Sequence, residues 1–171
     1  MNLHRYLPIT FFAFFGVLPI LAQDGPCTKD SRPDCARAVE FFHHVQTLLR
    51  TNDRQALAAI IEYPLLTNVS HKKSRIATRA EFLSHFDEIF DDGVHCEALK
   101  ASDKDVWGSW RGYTVGGGAI WFDSVIPRGE HANTNAPDFW TKYPFKIKAI
   151  NNEAYDPCQS PVGVHGKSPR G

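Results

Sequence analysis

The stretch from Asp105 to Ile126, DVWGSWRGYTVGGGAIWFDSVI, constrains the fold more than any other part of the chain. Two aromatic-rich runs flank Gly116-Gly117-Gly118, and glycine reaches positive φ without steric cost, so the triplet predicts a hairpin turn. In the second run Ile120, Phe122 and Ile126 share one face of a strand, while Ala119, Trp121 and Val125 share the other. A strand with large apolar groups on both sides is covered on both sides, or else it lines a cavity.

The rest of the chain has to supply that cover. At 171 residues it is long enough for one domain with a real core. Lys plus Arg and Asp plus Glu both number 19, and no basic stripe is visible, which argues against a nucleic-acid binder. Residues 1–22 read as a secretory leader: His4 and Arg5 precede an apolar run from Leu7 to Leu21, and Ala22 offers a small residue for cleavage. The run is shorter than the ~18–20 apolar residues of a membrane span and contains Pro8 and Pro19, so no stable membrane anchor is expected. The mature protein is then exported, to a periplasm or to the medium. Export makes disulfides the default for Cys27, Cys35, Cys96 and Cys158. Four cysteines allow three pairings, and sequence alone does not choose among them. The preferred one closes a small loop between Cys27 and Cys35 and clamps the tail through Cys96 and Cys158. Zinc is disfavoured because no CxxC or paired His/Cys spacing is present.

Residues 23–33 form a polar tether, and a single domain follows over 34–156. Pro33 opens a helix over Asp34–Arg50, in which Val39, Phe42, Gln46 and Leu49 keep helical spacing. A second helix spans Arg54–Ile61 and ends at Tyr63-Pro64, after which Leu65–Val69 makes a short strand. Lys72–Ile76 is a basic loop or strand end. Thr78-Arg79-Ala80-Glu81 is a capping box that launches a third helix with the stripe Phe82, Leu83, Phe86, Ile89 and Phe90. Asp91-Asp92-Gly93 stops it, and Val94–Lys100 adds a short helical piece with Cys96. The hairpin comes next, then a polar loop over Pro127–Asp138. In a final strand over Pro144–Asn151, Phe145, Ile147 and Ala149 alternate with Lys146 and Lys148. Residues 157–171 read as a loose tail. The fold class is α+β: three to four N-terminal helices wrapped on one face of a curved antiparallel sheet.

This order resembles the nuclear transport factor 2-like (cystatin-like cone) superfamily, and within it the small exported bacterial members of unknown function. The resemblance rests on Tyr63-Pro64-Leu65 after the second helix and on Asp87-Glu88-Ile89-Phe90 at the end of the third. It rests also on the Gly116–Phe122 hairpin and the closing Lys146–Asn151, and covers about Cys35 to Asn151. The tyrosine usual before the aspartate is Phe86 here, which removes a hydroxyl from the mouth of the implied pocket. The resemblance implies a cone enclosing a pocket, often in a homodimer. It implies no reaction, because one fold hosts many functions.

The polar cluster most suited to chemistry is His85 and Asp87, with Tyr63, Phe86, Trp107, Trp110 and Trp121 as pocket wall. An enclosed carboxylate among apolar rings has a raised pKa and can act as a general base, the logic of the ketosteroid isomerases that share the cone. Residues 85 and 87 are two apart, however, and do not share a helix face. Neighbouring His43 and His44 point about 100° apart, which predicts one packed and one solvated side chain rather than a ligand pair. Arg111 can lie over an indole or face solvent. Asn68-Val69-Ser70 matches a glycosylation acceptor, of consequence only in a eukaryotic secretory route. Ser70, Ser84, Ser109 and Ser124 lack a nucleophile-elbow context. The favoured reading is a non-enzymatic exported domain that binds a small apolar ligand or a protein partner in its cone. The alternative is a small-molecule isomerase or hydratase with an acid/base residue in the pocket. Neither a cofactor nor a metal is called for.

Overall fold

The computed structural model describes residues 25–27, 33–136 and 138–152, so the leader over 1–22 and the tail over 157–171 lie outside the described residues. The first element is β1 (Gly25–Pro26), a short strand within the expected tether that pairs with the hairpin region. A disulfide joins Cys27 to Cys35 with Cα atoms 5.4 Å apart, tying β1 to the start of α1 (Cys35–Arg50). Cys96 is disulfide-bonded as well, and its expected partner Cys158 lies outside the described residues.

Helix α1 buries Ala38, Phe42, Val45 and Leu49 along one stripe. The Asp53 carboxylate then accepts the Ala56 N–H at 2.9 Å and starts α2 (Arg54–Ala59). The sequence spacing carries this helix to Ile61; in the structure it stops at Ala59, and β2 (Ile61–Val69) begins at once. Tyr63-Pro64, a cis bond, therefore lies inside a strand rather than at a helix end. The register of β2 against its neighbour shifts between Ile61 and Leu66, and such irregularities are where a strand tolerates a residue without an N–H. β3 (Lys72–Ile76) is a full strand paired back on β2.

Thr78 caps the third helix, but the reciprocal half of the box is displaced, because Glu81 reaches Ala77 N and not the Thr78 N–H. Thr78 Oγ1 accepts from Glu81 N at 3.2 Å, the Glu81 carboxylate accepts from Ala77 N at 2.7 Å, and α3 (Arg79–Ser84) follows. Instead of running on to Phe90, the helix breaks at His85 and resumes as α4 (Phe86–Ile89). Asp91 is a start rather than a stop: its carboxylate accepts Val94 N–H at 2.8 Å and caps α5 (Asp92–Lys100).

The aromatic stretch folds as three strands, not two. Trp110-Arg111 turns the chain between β4 (Trp107–Ser109) and β5 (Gly112–Val115). Gly112 has φ 109°, and a Cβ there would lie 2.7 Å from the Phe122 carbonyl oxygen, so only glycine fits. Gly116–Gly118 makes the second turn, and β6 (Ile120–Ser124) returns. After the polar loop and the short α6 (Phe139–Lys142), β7 (Phe145–Ile150) closes the sheet. The sheet is open and curved, with the order β1-β4-β5-β6-β7-β2-β3. It is mixed rather than wholly antiparallel, because β2 and β7 run parallel.

One side of this sheet carries the core. Gly108, Tyr113, Phe122 and Ile147 are cross-strand neighbours, and the three side chains are 0–2 % exposed. Phe41 of α1 approaches Phe122 and Phe145 with ring centroids 5.1 and 5.6 Å away, and Tyr113 stacks on Phe122 at 5.7 Å. Rings thus fill the space between α1 and the sheet. Each fully buried large side chain of this kind contributes about 1.5–3 kcal/mol. The Tyr113 hydroxyl, shut off from solvent, donates to the buried Asp34 carboxylate.

A second buried polar group holds the helices together. Gln46 of α1 is 6 % exposed, and its Nε2 donates to the carbonyls of Ala98 and Ala101, both at 2.9 Å, at the end of α5. The last carbonyls of a helix have no helical partner, so this side chain supplies one. Gln46→Leu keeps the volume but strands those acceptors, and it is expected to cost about 1–3 kcal/mol. Urea unfolding reads this as a lower midpoint at unchanged slope; an unchanged midpoint would contradict it.

Candidate functional site

The two residues singled out for acid/base work do not meet. Asp87 lies on α4 with its side chain 78 % exposed, and Arg54 holds both its oxygens, Nη1 to Oδ2 at 2.9 Å and Nη2 to Oδ1 at 2.6 Å. The same guanidinium lies 4.5 Å from the centre of the Phe86 ring. His85, at the break between α3 and α4, places Nδ1 3.4 Å from Glu88 instead. The enclosed carboxylate expected from the sequence is replaced by a solvated one clamped by a cation. Glu88 accepts the backbone N–H of Ser70, and this bond, then His85, holds its carboxyl below the usual glutamate range.

The residues expected as pocket wall divide into two groups on different parts of the fold. Tyr63 donates its hydroxyl to the Ala58 carbonyl at 3.1 Å and meets Phe82 edge-on, and burial pushes its pKa up to about 12 against the opposing pull of Arg79. Phe86 stacks on Phe90 and also meets Phe82, so these rings belong to the packing of α3 and α4. A groove of about 360 Å³ beside them is bordered by Phe86, Asp87, Asp92 and His95. The indoles are elsewhere. Trp107 is 46 % exposed and Trp110 74 % exposed, so neither shapes an interior hollow.

Strand register explains where they go. Trp107 pairs with Thr114, Thr114 with Trp121, Trp121 with Ala149, Ala149 with Leu66, and Leu66 with Arg75. These six residues form one row across the sheet, offset by one position from the core row, and alternate side chains point to opposite faces. The row is therefore on the side away from α1. Ala149 is on it because of an irregularity: between Trp121/Ala149 and Phe122/Ile147 the register slips, leaving Lys148 unpaired. Simple alternation would have put Ala149 with Ile147; in the structure Ile150 takes the buried position.

Three grooves open along this row. The first, about 520 Å³, lies between Trp107 and Trp121 over Thr114 and Gly118, with Lys104 and Asp105 at its edge. The second, about 260 Å³, is bordered by Trp121, Arg111, Lys148, Ala149 and Leu66. The third, about 460 Å³, lies between Leu66 and Ala149 on one side and Lys73 and Arg75 on the other. Trp121 is fixed as a wall, since its indole N–H donates to the Gly118 carbonyl at 3.0 Å. The Thr114 hydroxyl donates to Ile120 O at 3.0 Å. Arg111 lies 4.8 Å from the Trp110 ring centre, the cation-over-indole arrangement rather than a free solvent position.

Elsewhere, His43 and His44 are both exposed rather than one packed and one solvated, and His43 Nε2 lies 2.6 Å from Asp103. Among the described residues no group of three or more His, Cys, Asp or Glu side chains is arranged to hold a metal ion. Sequence reasoning missed Leu66, Ala149 and Lys148 as surface partners of the indoles. Arg111-Gly112 carried a turn signal that would have split the first aromatic run and put Trp110 at a tip. No family model, curated protein or solved structure matches the chain.

The Ser70–Glu88 bond makes a pH prediction. A carboxyl depressed in the folded protein contributes stability that is present above its ordinary value of 4.5 and lost as pH falls through the lower folded value. Glu88→Gln is expected to flatten that acid limb, read as urea midpoint against pH; curves for the two proteins that stay parallel would contradict it.

Proposed function

We propose that this chain is an exported, non-enzymatic binding domain that engages its partner on the outer face of the sheet. One observation carries this reading: Leu66 and Trp107, 49 % and 46 % exposed, lie on a single cross-strand row with Trp121 between them. Contiguous exposed apolar surface rimmed by polar groups marks interaction sites, and Trp and Arg are the side chains that dominate binding energy there. The rings packed between α1 and the sheet move the contact from the inside of a cone to its outside. The cone-like wrap and the kinship with nuclear transport factor 2-like proteins belong to the same proposal, supported by the helix order and by helices packed on one sheet face. The isomerase or hydratase reading gains nothing from the geometry, since Asp87 and His85 face solvent and separate partners.

Export is part of the reading. The Cys27–Cys35 disulfide is compatible with it, as is the finding that no helix among the described residues is long and apolar enough to cross a membrane. We place the protein in a periplasm or in the medium, with a small molecule, another protein or a second copy of the chain as its guest. A photo-crosslinking amino acid at position 107, compared with one at the exposed position 44 on α1, tests the assignment in exporting cells. Adducts are expected at 107 and not at 44, and an adduct to a second copy counts as the homodimer form of the same reading. Adducts confined to 44, or absent from both positions, would overturn it.

A further inference from the structure

The chemistry of the three grooves narrows the guest further, on the premise that the outer face of the sheet is the binding surface. The grooves share walls and lie in line, so a guest that fills them is a chain lying across the strands. From Trp107 on β4 to Leu66 on β2 the row crosses four strand spacings, about 19 Å. Trp107 and Trp121 are two strands apart, so they bracket a slot about 10 Å across at the backbone. Two van der Waals contacts of about 4 Å each leave room in such a slot for a puckered saturated ring seated between the indoles.

Polar groups ring the same slot. The Trp121 N–H and the Thr114 hydroxyl proton are taken by the protein's own carbonyls, so at these two residues the wall offers a guest a ring face and a lone pair rather than donors. Donors come from the rim: Lys104 at the first groove, Arg111 and Lys148 at the second, Lys73 and Arg75 at the third. A purely apolar guest would desolvate this rim without return, and a purely ionic one would leave the indoles wet. A sugar meets both demands, with C–H faces for the rings and hydroxyls around its edge.

Charge decides which kind of sugar. The whole chain is balanced at 19 basic and 19 acidic residues, yet basic groups border every groove. Two carboxylates share the rim: Asp105 stands beside Lys104 at the first groove, and Asp123 lies 3.7 Å from Lys148, so the uncompensated cations are Arg111, Lys73 and Arg75. Lys73 and Arg75 sit on the edge strand β3, where basic side chains also discourage strand pairing. That role does not account for Arg111, which sits at the turn between β4 and β5. A second copy would bring the same basic rim against itself, which disfavours self-pairing. We infer that the outer face binds a linear acidic glycan, its rings on Trp107 and Trp121 and its carboxylates toward Arg111, Lys73 and Arg75.

The test uses the full exported chain with its disulfides intact, titrated calorimetrically with three probes. These are β-linked hexamannuronate, its neutral counterpart mannohexaose, and a hexaglutamate peptide. Hexamannuronate is expected to bind, with mannohexaose at least about tenfold weaker and hexaglutamate weaker still. Trp107→Ala, at an exposed position that leaves the fold intact by circular dichroism, and Arg111→Ala are each expected to weaken hexamannuronate binding about tenfold. Hexaglutamate binding as tightly as the sugar acid would overturn the inference in favour of an acidic protein partner. Binding untouched by Trp107→Ala would place the site elsewhere and overturn it too. Should no probe bind while crosslinks still form at position 107, the glycan falls and the outer-face reading stands; loss of both removes the reading itself.

Discussion

A one-residue offset between two cross-strand rows governs this molecule. On one row Tyr113, Phe122 and Ile147 turn toward α1 and are sealed; on the next, Trp107, Trp121 and Leu66 turn away from it. Because side chains alternate along a strand, a slip of one position would exchange the two sets and expose the core. The β7 irregularity at Lys148 and the fixed turns at Gly112 and Gly116–Gly118 hold that register. Buried polar groups enforce it from the helix side, since Tyr113 must meet Asp34, and Gln46 must meet the end of α5.

The ends of β2 and β7 are joined by one side chain. Asn152, just past β7, accepts from Asn68 N at 3.1 Å and from the Thr67 hydroxyl at 3.3 Å, and donates to the carbonyls of Asn68 and Glu88 at 2.9 and 2.7 Å. It extends the parallel β2–β7 pairing by one rung and ties that pair to α4. The backbone of Asn68 is thereby built into the sheet.

Much of this was legible in the chain. The helical stripe over Val39–Leu49, the Thr78 N-cap and the Gly116–Gly118 turn each carry a local signal with its own mechanism, and each is found where the signal puts it. What was not legible depends on non-local pairing. Nothing local says that β2 runs parallel to β7, that Ala149 crosses to the outer face, or that a Pro64 flanked by strand residues belongs to a bulged strand. The indoles were misplaced for a related reason. Large aromatic residues on both faces of a strand read as cover on both sides or as a cavity wall, and no local pattern says which set faces the helices. At Asp87 the residue type suggested a general base, whereas the deciding fact is a partner 33 positions away, Arg54.

Everything above depends on the indoles being outside and the phenyl rings inside. Hydroxyl-radical footprinting of the purified folded protein, read by mass spectrometry residue by residue, measures this directly. Trp107 and Trp110 are expected to oxidise nearly as fast as in the urea-unfolded chain, with Tyr113 and Phe122 strongly protected. Protection of Trp107 and Trp110 matching that of Tyr113 would be the contrary result, because it would put the indoles in an interior.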